Sequence, residues 1–250
     1  MTVNSAFMRK LFSCLAVAAI AVTAGCSYKP PFLGTTPLIG YKPPVLTATH
    51  LIEDAAQTLE NYSIHPRLKA IAEYLPEARG IFIMPKLRDY GIVSGFMIGT
   101  GVFVVRTKDG SWSGPSFHAL YSTHFTPHLT DRRHSAVIVF RSGPVLDAVI
   151  ETDGRIDAAP EASIGIVGAT NHVPVLHNRD INIVVFTATE TAELIRQPFE
   201  QASVPADPRL NEGMYGRGAT PKAIFHGVVG EPASHHYPAT TRRLRQALGP

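Results

Sequence analysis

Cys26 divides the chain into a part that leaves and a part that folds. Ahead of it, Arg9 and Lys10 precede an uncharged stretch from Leu11 to Gly25, which closes on Thr23-Ala24-Gly25. A basic start, a short apolar core and small residues before a cut are the parts of a secretory signal. A membrane-spanning helix needs about 20 apolar residues, and this stretch supplies 15. Removal of residues 1–25 leaves 225, enough for one domain with a sizeable core. The chain has two cysteines; Cys14 goes with the signal and Cys26 is the other. No thiol pair is then left for a disulfide or a thiolate metal site, so burial alone must hold the fold.

A cysteine directly after small residues resembles the bacterial lipobox, where the thiol receives a diacylglycerol and the chain is cut before it. Thr23 stands where such boxes most often carry Leu. The resemblance implies lipidation of Cys26, with acyl chains of the palmitate type. An uncleaved anchor and an ordinary soluble export signal are the competing readings. Ser27 follows the cysteine, and no Asp is there to signal inner-membrane retention. By the sorting used in many Gram-negative bacteria, this implies the outer membrane, facing the periplasm. Without Arg9 and Lys10, 21 basic residues face 20 acidic ones. So even a balance does not point to nucleic acid as a partner.

Residues 26–46 read as a tether rich in Pro and Gly, in which Tyr28-Lys29-Pro30-Pro31 returns as Tyr41-Lys42-Pro43-Pro44. Paired prolines favour an extended conformation, and twenty such residues reach about 60 Å. From 47 to 250 the pattern is that of one domain. Leu51, Ala55, Leu59 and Tyr62 recur at helical spacing, with Thr47 or Thr49 as a cap. A second helix is expected from Pro66 to Leu75, stopped by Pro76. Residues 81–84, 101–106, 135–140 and 180–186 are β-branched or aromatic runs that read as strands. Asp109-Gly110 marks a hairpin turn. Pro144 to Ile150 reads as a short helix across the sheet, and 240–248 as a closing helix with Leu244, Ala247 and Leu248 facing inward.

In the strand region the chain resembles the SYLF lipid-binding domain family. Ala78-Arg79-Gly80-Ile81-Phe82-Ile83-Met84-Pro85 is similar to its opening strand, and Tyr90-Gly91-Ile92-Val93-Ser94-Gly95 stands at its Gly-rich segment. Asp109-Gly110-Ser111-Trp112-Ser113-Gly114-Pro115 is close to the family's Gly-x-Trp-Ser-x-Pro signature. Ala162 to Gly168 and Asn211-Glu212-Gly213-Met214-Tyr215-Gly216 resemble its later turn and its closing Asn…Tyr-Gly. Residues 122–128 and 193–204 depart from the family pattern; the latter has helical spacing where the family has a Gly-containing strand, and the kept order of the other motifs favours the strand. The resemblance implies an α+β, mainly β fold: an antiparallel barrel or sandwich with N-terminal helices and a short C-terminal helix. It also implies phospholipid binding rather than turnover, with a phospholipid membrane as partner. The competing class is an envelope scaffold that holds another protein.

The chemistry agrees with a binding role. No Gly-x-Ser-x-Gly elbow, His-Glu-x-x-His pair or phosphate loop is present. Gly99-x-Gly101 lacks a third glycine and leads into a strand, so no dinucleotide or other cofactor is expected. His118, His124, His128 and His134 are the metal candidates, since imidazoles suit zinc or copper. Pro127 and Asp131-Arg132-Arg133 interrupt the strand that would align them, which favours exposed loop histidines. Lys86 and Arg88, Arg132 and Arg133, and the C-terminal Arg242, Arg243 and Arg245 are the cations that could meet lipid phosphates. Trp112 fits either a core edge or a lipid contact.

Overall fold

The central strands are apolar at nearly every position, and the reason is that both faces of their sheet are covered. The computed structural model describes residues 44–91, 94–125, 130–168, 178–188, 199, 201–230 and 232–250. The signal segment, Cys26 and the tether up to residue 43 lie outside the described residues, as do His128 and most of 189–200.

Helix α1 (Pro44–Ile64) buries Ala48, Ile52, Ala55, Ala56, Leu59 and Tyr62 along one stripe. It opens at Pro44, within the stretch read as tether; proline tolerates the first helical turn. Thr49 is therefore no cap: it is buried, and its hydroxyl donates to the Val45 carbonyl at 2.9 Å. The second helix is shorter than its spacing suggests. Helix α2 (Ile71–Tyr74) is one turn that passes into a 3-10 turn at Leu75–Glu77, where Pro76 sits.

Four long strands follow, β1 (Gly80–Gly91), β2 (Ser94–Val105), β3 (Ser116–Phe125) and β4 (Thr130–Phe140). Helix α3 (Gly143–Glu151) comes next, then β5 (Ile164–Gly168) and β6 (Ile183–Thr187). Helices α4 (Pro208–Tyr215), α5 (Pro221–Phe225) and α6 (Tyr237–Leu248) close the chain. The strands form one sheet in the order β3-β2-β1-β4-β6-β5, antiparallel except for the parallel pair β5 and β6. The fold is thus α+β. Among the described residues the sheet is open and mixed, which corrects the expected closed antiparallel barrel or sandwich, and helices take up as much of the chain as strands.

The runs 81–84, 102–105, 136–140 and 183–186 explain the open form. Alternate residues of each run enter two separate cores. Ile81, Ile83, Val102, Val104, Val137, Val139, Val184 and Phe186 join α1, α4 and α6 on one face. Phe82, Phe103, Val105, Ile138, Phe140, Ile183 and Val185 join α3, Phe199, Ala202, Val204 and Phe225 on the other. A sheet apolar on both faces needs a cover on each side. Gly101 is required inside this packing: a Cβ there would lie 2.3 Å from the Ile83 carbonyl oxygen.

The outer edge of β3 is closed by an irregular segment. Tyr121 and Ser203 exchange two backbone hydrogen bonds of 2.9 Å, and Ala119 N–H donates to the Pro205 carbonyl at 3.0 Å. Val204 N–H turns away to the Gly154 carbonyl at 2.8 Å. Such a cover closes the edge over residues 117–121 to pairing with another strand. Asn211, fully buried on α4, clamps the same strand, accepting from Phe117 N–H at 2.9 Å and donating to the Phe117 carbonyl at 3.0 Å. The Tyr215 hydroxyl donates to the Pro115 carbonyl at 2.8 Å. No helix among the described residues is long and apolar enough to cross a membrane.

Candidate functional site

The strands β1 to β4 run past the helical cover, and a single irregularity decides what they present there. Pro85 has no N–H for the ladder, and β1 carries a bulge between Ile83 and Lys86. One extra residue reverses the alternation. Before the bulge, the odd-numbered Ile81 and Ile83 face the helices. After it, Lys86 and Arg88 are exposed, while Leu87 enters the opposite core beside Phe82 and Met84.

The register then lines up a row across four strands: Tyr121 opposite Ile98, Ile98 opposite Arg88, Arg88 opposite Arg133. The next row outward sets Thr123 opposite Phe96 and Phe96 opposite Tyr90. Arg88 donates to the Tyr90 hydroxyl at 2.5 Å, and the Tyr90 and Phe96 ring centroids lie 5.1 Å apart. Lys86 bonds Asp54 on α1 at 2.6 Å, but both side chains are largely exposed. Such a surface pair is worth about 0–1 kcal/mol. The result is a sheet face with aromatic and aliphatic side chains on β2 and β3 and cations on β1 and β4.

Of the cations singled out in the sequence, Lys86, Arg88 and Arg133 therefore come together. Arg132 is placed only by register, opposite Asp89. Trp112 does not join them. It lies past the far end of β2, buried, with its indole N–H donating to the Gly249 carbonyl at 3.2 Å and the Arg106 guanidinium 4.1 Å from its ring. That is packing at a core edge. The C-terminal arginines are on α6. Arg243 grips the Glu60 carboxylate at 2.6 and 2.8 Å and Gln57 at 2.8 Å, which holds the Glu60 carboxyl below its usual range. Arg242 and Arg245 line a separate groove with Pro232, Tyr237 and Pro238.

The histidines depart from the expected exposed loop. His118 is buried in β3, and burial lowers its pKa to about 4. Its Nδ1–H donates to the Val204 carbonyl at 2.8 Å, which leaves Nε2 to accept from the Ser116 hydroxyl at 3.0 Å. Ser116 is itself sealed from solvent. His134 is a half-buried position on β4, and the side chain of His124 lies outside the described residues. No group of three possible metal ligands occurs among the described residues. Phe96, Ile98 and Tyr121 went unread in the sequence, although Phe96-x-Ile98 and Tyr121-x-Thr123 carry the alternation of a strand.

The fold and this face together define an α+β protein with a two-faced core and, among the described residues, a sheet end that the helices leave exposed. Comparison with protein-family models, with curated proteins and with solved structures finds no match for the chain.

Proposed function

We propose that this is an exported protein, lipid-anchored through Cys26 at the periplasmic face of the outer membrane, whose SYLF-like domain binds anionic phospholipid without catalysis. The observation that carries the reading is the meeting of Lys86, Arg88 and Arg133 on one exposed sheet face. The Arg88 and Arg133 guanidinium forks match phosphate oxygens, and each basic side chain near an anionic surface contributes about 1 kcal/mol. A single acyl chain binds marginally and two anchor stably, so a lipoprotein with three stays at the membrane. Tethering raises the domain's effective concentration beside headgroups, and a weak intrinsic affinity then suffices.

The test is co-sedimentation of the unacylated chain from Cys26 onward with vesicles of different headgroup charge. Arg88→Ala/Arg133→Ala should lower binding to anionic vesicles about 30-fold, the equivalent of about 2 kcal/mol. Binding to no vesicle, with stoichiometric capture of an envelope protein instead, would replace this reading with the scaffold. Mass spectrometry of the mature N-terminus tests the anchor; an unacylated Cys26 would remove it.

A further inference from the structure

We infer that the domain engages the bilayer by shallow insertion of this sheet face, with Phe96, Ile98 and Tyr121 entering the boundary between headgroups and acyl chains while Arg88 and Arg133 remain at phosphate level. The inference rests on the phospholipid reading above and gives it a surface and a depth. Among the described residues, six large apolar side chains are exposed, and three of them are Phe96 (51%), Ile98 (37%) and Tyr121 (49%). Those three lie on neighbouring strands, on one face, and in two adjacent register rows. The same rows continue into Tyr90 and the two arginines. Backbone ladders on both sides of β1 and β2 fix these positions, so the face is formed before any ligand arrives.

The composition of the face selects its occupant. A standard protein interface takes about 800 Å² from each partner. Phe96 and Tyr121, each about half exposed from a full aromatic area of 150–250 Å², and the less exposed Ile98 offer about 250 Å² of apolar surface. That is too little for a second copy or a folded partner. A bilayer surface demands no such matching area. It favours amphipathic rings beside long basic side chains at one depth, because rings settle at headgroup level while cations reach water and phosphate. The charge also fits: Lys86, Arg88 and Arg133 meet two carboxylates here, Asp54, which bonds Lys86, and Asp131, placed by register opposite Tyr90. The excess is positive and complements an anionic surface.

Insertion and charge respond differently to salt, since screening weakens only the ionic part. The unacylated chain from Cys26 onward is mixed with phosphatidylcholine–phosphatidylglycerol vesicles at physiological and at high salt. Phe96→Trp should show a blue-shifted emission that acyl-brominated lipids quench. The native chain should show no quenching, because its single indole, Trp112, is buried past the other end of β2. Phe96→Ser/Ile98→Ser/Tyr121→Ser should keep the native melting temperature and lose about tenfold or more of its vesicle partition at high salt. Arg88→Ala/Arg133→Ala should lose binding mainly at physiological salt, where the ionic part is least screened. If the native chain sediments with vesicles but the Phe96→Trp indole is not quenched, another surface meets the bilayer and the inference falls while the phospholipid reading stands. If the native chain ignores every vesicle, the phospholipid reading falls as well. If the triple substitution instead converts a dimer to a monomer, the face belongs to a second copy.

Discussion

Both ring nitrogens of His118 have partners inside the core, and burial keeps the ring neutral there. In an unfolded chain the imidazole titrates near 6.5; in the folded protein burial holds it at about 4. Between those values the unfolded state takes up a proton that the folded state refuses. Stability is therefore fully present above pH 6.5, falls as the pH drops through the window, and levels off below 4. The loss is about 3 kcal/mol. Denaturant unfolding at several pH values from 7.5 to 4 (the range set by those two pKa values) should show it, and His118→Gln should flatten the slope despite a lower plateau. An unchanged slope would mean that other groups carry the acid sensitivity. Little of this was legible in the sequence. His118 alternates with Ser116 and Leu120 on one face of β3, and its burial comes from residues distant in sequence: the Val204 carbonyl and the rings of Phe82, Phe103 and Phe225.

At the scale of elements, the apolar runs announced their strands because they fill two cores at once. Helix α1 was legible from its stripe, and the positive φ of Gly110 (84°) bears out the turn read from Asp109-Gly110. Strand β3 was not read, since its outward positions are polar or aromatic and its cover comes from residues more than 80 positions away. Strand β1 was ended too early, at Pro85. A proline usually leaves a strand, but here it marks the bulge that reassigns every later side chain to the opposite face. Deleting Pro85 removes the extra residue, so Met84 leads directly into Lys86 and plain alternation still sends Leu87 to the core and Arg88 outward. Inserting an alanine after Pro85 shifts every later residue by one position and sends Leu87 outward and Arg88 toward the core. Burying an unpaired guanidinium costs several kcal/mol. The insertion should abolish the cooperative thermal transition followed by circular dichroism, whereas the deletion and Pro85→Ala should retain it. An insertion variant with native melting would show that the facing of these side chains is not fixed by residue number.

The whole molecule depends on contacts between its two ends. Helix α6 packs on α1, Leu244 and Leu248 share a core with Ile52 and Leu59, and Gly249 receives the Trp112 indole. The parallel pairing of β5 with β6 and the closing of β3 by residues 203–207 are equally long-range. Neither could be read locally, because no local pattern distinguishes a partner strand that is distant in sequence. Truncation before Tyr237 should uncover the α1 stripe and the indole, remove the cooperative transition and shift Trp112 emission toward that of a solvated indole. Native-like melting of the truncated chain would refute this dependence. The linkage of Ile52 to Leu248 has a bearing on the order of assembly. The core that holds both residues closes only when these distant segments meet, since loop closure of this length precedes its compensating contacts. The core on the other face of the sheet contains no residue of α6, so of the two faces the one under α1 is sealed last.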